Sequence, residues 1–376
     1  MQYRRFGRTN YQLSVFSLGT MRYLASVETA CQIIRSAVER GINHLETARG
    51  YGKSEEFLGH ALQHDWIGRT HVVITTKIPP TPTASEMAAA IHDSLERLKI
   101  EAIDCLAIHG LNTQEHLDWV LAPDGCMVAV RDAIAAGKVR HVGFSTHAPL
   151  DIILSAINTG FFEFINLHYT LFFQRNRAAV ERAHQLDMGI FIISPADKGG
   201  LLYTPSEQLE ELCSPYTPLE INHRFLLSDR RITTLSVGPA IPQELNTPLA
   251  LADRVEPLSA DERRVFDRLE QHQANALGGD RCSQCYECLP CPESINIPEI
   301  LRLRNLAVAY GMKAFGEYRY RMFENAGHWF PGRKGNRCTE CGDCLPRCPE
   351  KLAIPNLLQD AHQRLNGPKR RRLWED

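Results

Sequence analysis

From about residue 12 to residue 277, short runs rich in β-branched and aromatic residues alternate with longer stretches whose apolar residues recur at helical spacing. A chain patterned this way has few folds open to it, because each helix returns the chain so that the next strand lies parallel to the last. Eight strands are expected: QLSVFSLGT (12–20), INHLETA (42–48), HVVITTK (71–77), IDCLAIH (103–109), VRHVGFST (139–146), FINLHYT (164–170), GIFIISPA (189–196) and ITTLSVGP (232–239). Helical stretches such as VETACQIIRSAVERG, SEMAAAIHDSLERLK and NRAAVERAHQLD fill the intervals. The last, SADERRVFDRLEQHQANAL, opens with Ser259 and Glu262 at capping-box spacing. Eight such units most simply close into a (β/α)8 TIM barrel, an α/β fold of about 250 residues. A competing open, doubly wound sheet would carry G-x-G-x-x-G after its first strand, and that fingerprint is absent.

The barrel does not exhaust the chain. At 376 residues the sequence exceeds one ordinary core, and a second, smaller domain is expected after the glycine pair of ALGGDR (276–281). Eight of the twelve cysteines fall there, in two runs. CSQCYECLPCPESINIPEIL (282–301) and CTECGDCLPRCPEKLAIPNLL (338–358) share their cysteine spacing, Leu-Pro, Cys-Pro-Glu and a later Ile-Pro. Each run therefore leads into a helix with proline in its first turn, where the missing N–H costs nothing. Three cysteines spaced by two residues can wrap a loop around three iron corners, and in two-cluster ferredoxins the fourth cysteine of each run ligates the other cluster. Cys282, Cys285 and Cys288 with Cys348 are thus expected around one 4Fe-4S cluster, and Cys338, Cys341 and Cys344 with Cys291 around another. The alternative is a pair of four-cysteine zinc sites, although those more often place two C-x2-C arms apart. The copies differ in one respect: Cys288-x2-Cys291 stands against Cys344-x3-Cys348.

Charge and hydropathy exclude several function classes. A net charge of −2 gives no field for nucleic acid, and the one dense basic run, Lys369–Arg372, reads as a solvated tail over 369–376. No run reaches the roughly 20 apolar residues that span a bilayer, and MQYRRFGRTN lacks the apolar core of a signal peptide. A cytoplasmic protein is expected, and in that compartment thiols stay reduced and serve as ligands rather than disulfides. The segment from 278 to 366 resembles dicluster ferredoxin domains of the helical type, because helix-like sequence separates its two runs. Its aromatic and basic residues, Tyr310, Phe315, Tyr318, Arg319, Tyr320, Arg321 and Phe323, are expected to pack as a dry shell rather than stack on bases. The expected architecture is a barrel over 1–275, a small, mainly helical ferredoxin-like iron-sulfur domain over 276–368, and the tail.

In TIM barrels the chemistry sits at the C-terminal ends of the strands. Glu46, Lys77 and His109 occupy such ends, with Tyr51 in the loop after Glu46; a cation beside a phenol and a carboxylate beside the cation suit proton transfer. Here the sequence resembles the aldo/keto reductases, in GINHLETARGYGKSEEFLG, TTK, DCLAIH, GKVRHVGFS and ISPADKGGL and in the opening YRRFGRTNYQLSVFSLGTM. The resemblance spans about 1–275. It implies Tyr51 as general acid toward a carbonyl, Lys77 lowering its pKa, His109 orienting the carbonyl oxygen and Glu46 holding Lys77. It also implies NAD(P)H as hydride source, facing Gly19, Thr20, Met21, Ser145, Thr146 and Asn166. Three positions depart from the family pattern. Glu46 replaces an aspartate, and Ile193 replaces the aromatic that stacks on nicotinamide. VGPAIPQELNTPL lacks the Lys or Arg that grips the 2′-phosphate of NADP, leaving NAD against NADP open. His147, His168, Asp197 and Lys198 are further candidates for substrate contact. No nucleophile elbow, Walker loop or H-E-x-x-H occurs.

The expected function is that of an iron-sulfur oxidoreductase of the aldo/keto reductase type. It would act on a small carbonyl or alcohol, with NAD(P)H or a ferredoxin-like partner as electron source and without nucleic acid or a membrane span. The alternative is a non-enzymatic electron carrier or redox sensor on a barrel scaffold.

Overall fold

The first apolar run folds as two strands rather than one. Gln12–Ser14 (β2) pairs antiparallel with Tyr3–Arg5 (β1), and Phe16–Gly19 (β3) enters the barrel. The break falls where Ser14 turns its backbone to a side chain: its N–H donates to Asn43 Oδ1 at 2.8 Å and its hydroxyl to Phe16 O at 2.6 Å. Alternation alone carries no mark of such a break. In this computed structural model residues 1–64 and 66–367 are described; the tail over 369–376 lies outside them.

β3 is followed by His44–Glu46 (β4), Val73–Ile78 (β5), Ile103–His109 (β6), Val139–Ser145 (β7), Phe164–Leu167 (β8), Gly189–Ile192 (β9) and Thr234–Val237 (β10). All pair in parallel, and β10 pairs back onto β3 to close the eight-stranded barrel. Phe6, at the N-terminal end, lies within 5.2 Å of the Phe164 ring centroid and is wholly buried with Leu13, Cys105 and Phe191. Gly189 is required there, since a Cβ would come within 2.2 Å of the Phe6 ring. Higher in the barrel a polar layer joins four strands. Ser17 Oγ meets Thr234 Oγ1 and His44 Nδ1, each at 2.6 Å, and His44 Nε2 meets Thr75 Oγ1 at 2.7 Å. Burial, with the charge of Lys77, drives the His44 imidazole down to about 3, so it is a neutral member of the network.

The outer helices include Val27–Glu39 (α1), Ser54–Ala61 (α2), Ala84–Leu98 (α3), Gln114–Leu121 (α4), Cys126–Ala135 (α5), Leu150–Asn158 (α6) and Arg177–Gln185 (α7). Ser26 caps α1 by accepting the Thr29 N–H, and Ala30, Ile33, Ile34 and Ala37 form its buried stripe.

The chain divides into two compact units, Met1–Gly199 with Asn222–Pro257, and Gly200–Ile221 with everything from Leu258 onward. The sequence boundary at 275/276 follows the order of motifs, whereas the compact units follow packing. Glu207–Cys213 (α8) belongs to the second unit, and Pro218–Leu227 (α9) begins there and ends in the first. Asn246–Leu249 (α10) completes the barrel unit. In the second unit Ala260–Leu277 (α11) opens with the expected capping box of Ser259 and Glu262 and packs on α8, where Arg268 donates to Leu212 O at 2.7 Å. Ile297–Tyr310 (α12) is buried along most of its length against Lys313–Tyr320 (α13) and Ile354–Leu365 (α14). Phe315, Tyr320 and Phe323 are buried. The internal repeat is a repeat of backbone too. Left-handed residues recur at matching places, Gln284 (φ 58) with Glu340 (φ 57), Tyr286 (φ 65) with Gly342 (φ 83), and Ser294 (φ 54) with Lys351 (φ 51).

Candidate functional site

Adjacent strands deliver the four expected polar groups to one place. Glu46 ends β4, Lys77 sits one residue from the end of β5 and His109 ends β6. Tyr51 lies in a tight turn, its N–H donating to Ala48 O and its carbonyl accepting from Ser54 N, both at 3.0 Å. The Lys77 ammonium contacts Glu46 Oε1 and donates to Thr47 O at 2.9 Å and Tyr51 Oη at 3.1 Å. Tyr51 and His109 rings meet edge-on with centroids 5.7 Å apart. Lys77 and Glu46 are buried, at 1% and 4% exposure, so their pairing is not screened by solvent. Burial, then the charge of Lys198, lowers the Lys77 pKa well below its ordinary value, while the Glu46 carboxylate in contact opposes that fall. Burial pushes the Tyr51 phenol up to about 12, which keeps it a proton donor at neutral pH.

Around this cluster the expected nicotinamide residues divide. Gly19 admits no side chain, because a Cβ would lie 2.6 Å from Ser236 Oγ and 3.5 Å from Glu46 Oε2. Asn166, paired in register with Ser145, is fully buried, and neither of its amide atoms has a hydrogen-bond partner. A buried amide left unpaired costs about 1–3 kcal/mol. The donor and acceptor of a nicotinamide carboxamide would satisfy both atoms, so the donor set fits that group. Ser145 Oγ accepts the Gly110 N–H at 3.1 Å. Thr20 Oγ1 donates to Glu46 O at 3.0 Å and Thr146 Oγ1 to Leu111 O at 2.8 Å. Met21 is 46% exposed.

His147 and His168 meet one another, with Nδ1 and Nε2 3.2 Å apart. Burial raises the Asp197 carboxyl above its ordinary value, against the pull of Arg22 and Lys198. In the loop after β10, the Glu244 carboxylate accepts from Arg22 at 2.9 Å and from Ala240 N at 2.8 Å. Sequence reasoning missed two groups that act on Lys77. The Thr47 carbonyl leaves no trace in residue type, and Lys198 stood out only as a candidate substrate contact.

The cysteine runs interleave. Cys291 lines one hollow together with Cys338, Cys341 and Cys344, beneath Ile297 and Leu358. The Cys282 thiol feels the charges of Cys285 and Cys348, and Asn305 donates to Cys282 O at 3.0 Å. Burial, then Cys282 and Cys285, pushes the Cys288 thiol up to about 12.

A closed parallel barrel with a phenol, ammonium, imidazole and carboxylate converging at its C-terminal mouth is the framework of a (β/α)8 enzyme. The aldo/keto reductase family model matches residues 16–269 and a 4Fe-4S dicluster domain model matches 281–353. The chain belongs to the aldo/keto reductase family, as an oxidoreductase carrying a C-terminal 4Fe-4S dicluster domain. It is 25% identical over 224 residues to an oxidoreductase of Bacillus subtilis, YqkF, covering 56% of this chain and 70% of that one. To a 6-dehydroglucose reductase of Novosphingobium aromaticivorans it is 31% identical over 160 residues, 38% of this chain and 51% of the relative. To an L-glyceraldehyde 3-phosphate reductase of Escherichia coli K12 it is 28% identical over 166 residues, 40% and 46% of the two chains. The chain thus spans about half the length of the last two relatives. In fold it is similar to an aldo-keto reductase of Bacillus halodurans in holo form, with TM-score 0.62, 22% identity, and 71% and 96% of the two chains covered. No helix among the described residues is long and apolar enough to cross a membrane.

Proposed function

We propose that the barrel interconverts a small polar carbonyl and its alcohol, with Tyr51 as the acid–base group. The observation that carries this reading is the Lys77 ammonium held between Glu46 and the Tyr51 hydroxyl at 3.1 Å. In reduction Tyr51 donates its proton to the carbonyl oxygen as charge develops there, and Lys77 stabilises the phenolate that remains. His109, beside Tyr51, orients that oxygen. A nicotinamide dinucleotide, when bound, supplies the hydride to the carbonyl carbon, so that hydride and proton together give the alcohol. Gly19 leaves room for it, and Asn166 with Ser145 would hold its carboxamide. The loop Gly238–Ala250 has no Lys or Arg of its own, and its Glu244 holds Arg22 in an ion pair rather than leaving it to a 2′-phosphate, which favours NADH. Lys198, His147 and His168 give the mouth a polar lining suited to a hydroxylated substrate. The reductases of sugar-like carbonyls among the relatives agree with that choice.

In this proposal the second unit holds two 4Fe-4S clusters with crossed ligation, Cys282, Cys285, Cys288 and Cys348 around one, and Cys338, Cys341, Cys344 and Cys291 around the other. Each middle cysteine, Cys285 and Cys341, is exposed, which brings one edge of each cluster to the surface for one-electron exchange with a ferredoxin-like partner. The test is an anaerobic titration with NADH and then NADPH, following nicotinamide fluorescence and cluster absorbance together, with turnover of a carbonyl panel by wild type and Tyr51→Phe. Binding of NADH and loss of turnover in Tyr51→Phe are expected. Absence of dinucleotide binding, or full turnover in the variant, would defeat the proposal.

A further inference from the structure

Three metal-binding side chains meet on the outer face of the barrel unit, in a place the chemistry above does not use. Cys31 lies on the flank of α1 beside its buried stripe, and α2 packs against that helix. His60 is in the last turn of α2, and the chain continues turning beyond it, the His64 N–H donating to Ala61 O at 3.1 Å. The i, i+4 spacing therefore puts the two imidazoles on one side, with ring centroids 5.3 Å apart. The sulfur of Cys31 and one nitrogen of each ring all lie within 4.8 Å of one another.

We propose that Cys31, His60 and His64 form a binding site for a zinc-like divalent ion. One thiolate with two imidazoles is a zinc donor set, unlike the all-oxygen sets of magnesium and calcium and the thiolate sets of iron–sulfur clusters. Bond lengths of about 2.0–2.3 Å require these atoms to close in by on the order of 1 Å, within reach of side-chain rotation. The surroundings serve such an ion. The indole of Trp66 stacks on His64 at 5.8 Å and 16°, and the Arg35 guanidinium covers Trp66 at 5.9 Å, which fixes one ligand ring. Glu28, one turn before Cys31, is near enough for its charge to act on both Cys31 and His60. It thus adds negative potential beside the open fourth position, which water or Glu28 itself would fill. A bound ion would tie the two imidazoles and the thiolate to one centre. With it in place, the C-terminal turn of α2 is clamped to α1 and the thiol is held as a thiolate shielded from oxidation.

The experiment uses anaerobic holoprotein with its iron intact, stripped of adventitious metal by a chelator and titrated with zinc alone, with the zinc environment read by X-ray absorption. One zinc per chain at micromolar free metal, with one sulfur and two imidazoles in its shell, is the expected result. Cys31→Ser should remove the sulfur and weaken binding at least tenfold, and His60→Ala with His64→Ala should abolish it, with iron content and circular dichroism unchanged. His92→Ala, an exposed histidine on α3 beside Glu96, should bind as wild type does. Failure of the wild type to retain zinc, a four-sulfur shell from metal in the cluster loops, or unchanged binding in Cys31→Ser would each overturn the proposal.

Discussion

Replacing Lys77 with methionine separates two roles of one ammonium group. Lys77 and Glu46 are almost wholly buried and in contact, so the substitution leaves a carboxylate in the barrel without its cation. Breaking one side of a buried pair costs about 3–5 kcal/mol. For a domain of this size each kcal/mol lowers the melting temperature by roughly 2–4 °C, giving a fall of roughly 6–20 °C. Turnover should drop by about 10²–10⁴-fold, the usual contribution of positioned proton transfer, because Tyr51 loses the donor 3.1 Å from its oxygen. Adding Glu46→Gln removes the stranded charge, and the double variant should regain stability to within about 1–2 kcal/mol of wild type. Its turnover should stay as low as that of Lys77→Met. Thermal unfolding by circular dichroism under nitrogen, with single-turnover carbonyl reduction, reads both quantities. Recovery of activity along with stability would show that Lys77 is only a counter-ion for Glu46.

Asn166→Ala should weaken nicotinamide binding by about 5–150-fold, the equivalent of about 1–3 kcal/mol, while leaving the unliganded protein as stable as before, since both amide atoms lack partners there. A destabilised protein with unchanged dinucleotide affinity in a fluorescence titration would contradict it. Because burial holds the Tyr51 phenol near about 12, the proton-donating form persists below that pH, and carbonyl reduction should be flat from neutral to mildly alkaline pH. Alcohol oxidation, which needs the phenolate, should rise about tenfold per pH unit on approach to that value; a reduction rate that falls between pH 7 and 8 would assign the control to another group. Cys348→Ser should perturb the EPR signal of the cluster on the first cysteine run, and a change confined to the second-run signal would refute crossed ligation.

Much of the barrel was legible because parallel strands buried on both faces write themselves as short continuous apolar runs, and a polar residue at the end of such a run marks the mouth. The meeting of Glu46, Tyr51, Lys77 and His109 could be read that way, as could the duplicated cysteine loops. What escaped depends on partners far along the chain. The hydroxyl bonds that Thr20 and Thr146 make to Glu46 O and Leu111 O leave no mark in residue type. The split of the first strand turns on Asn43, 29 residues beyond Ser14. The grouping of Cys31 with His60 and His64 leaves no motif in the sequence, because the two histidines lie on the next helix and the turn beyond it. The place of the 200–221 segment follows from bonds such as Ser206 Oγ to Tyr310 O, which join positions 104 apart.

That last segment bears on how such an enzyme can be taken apart. The polypeptide passes between its two units three times, after Gly199, after Ile221 and after Pro257, rather than along one tether. A stop codon placed after Leu277 would leave α8 without the Tyr310 carbonyl that its capping Ser206 hydroxyl donates to, and without the helices from α12 onward. Amputating the iron–sulfur half is therefore a poor way to ask what the reductase half does alone. Removing individual cysteines, with both halves left in place, is the cleaner dissection.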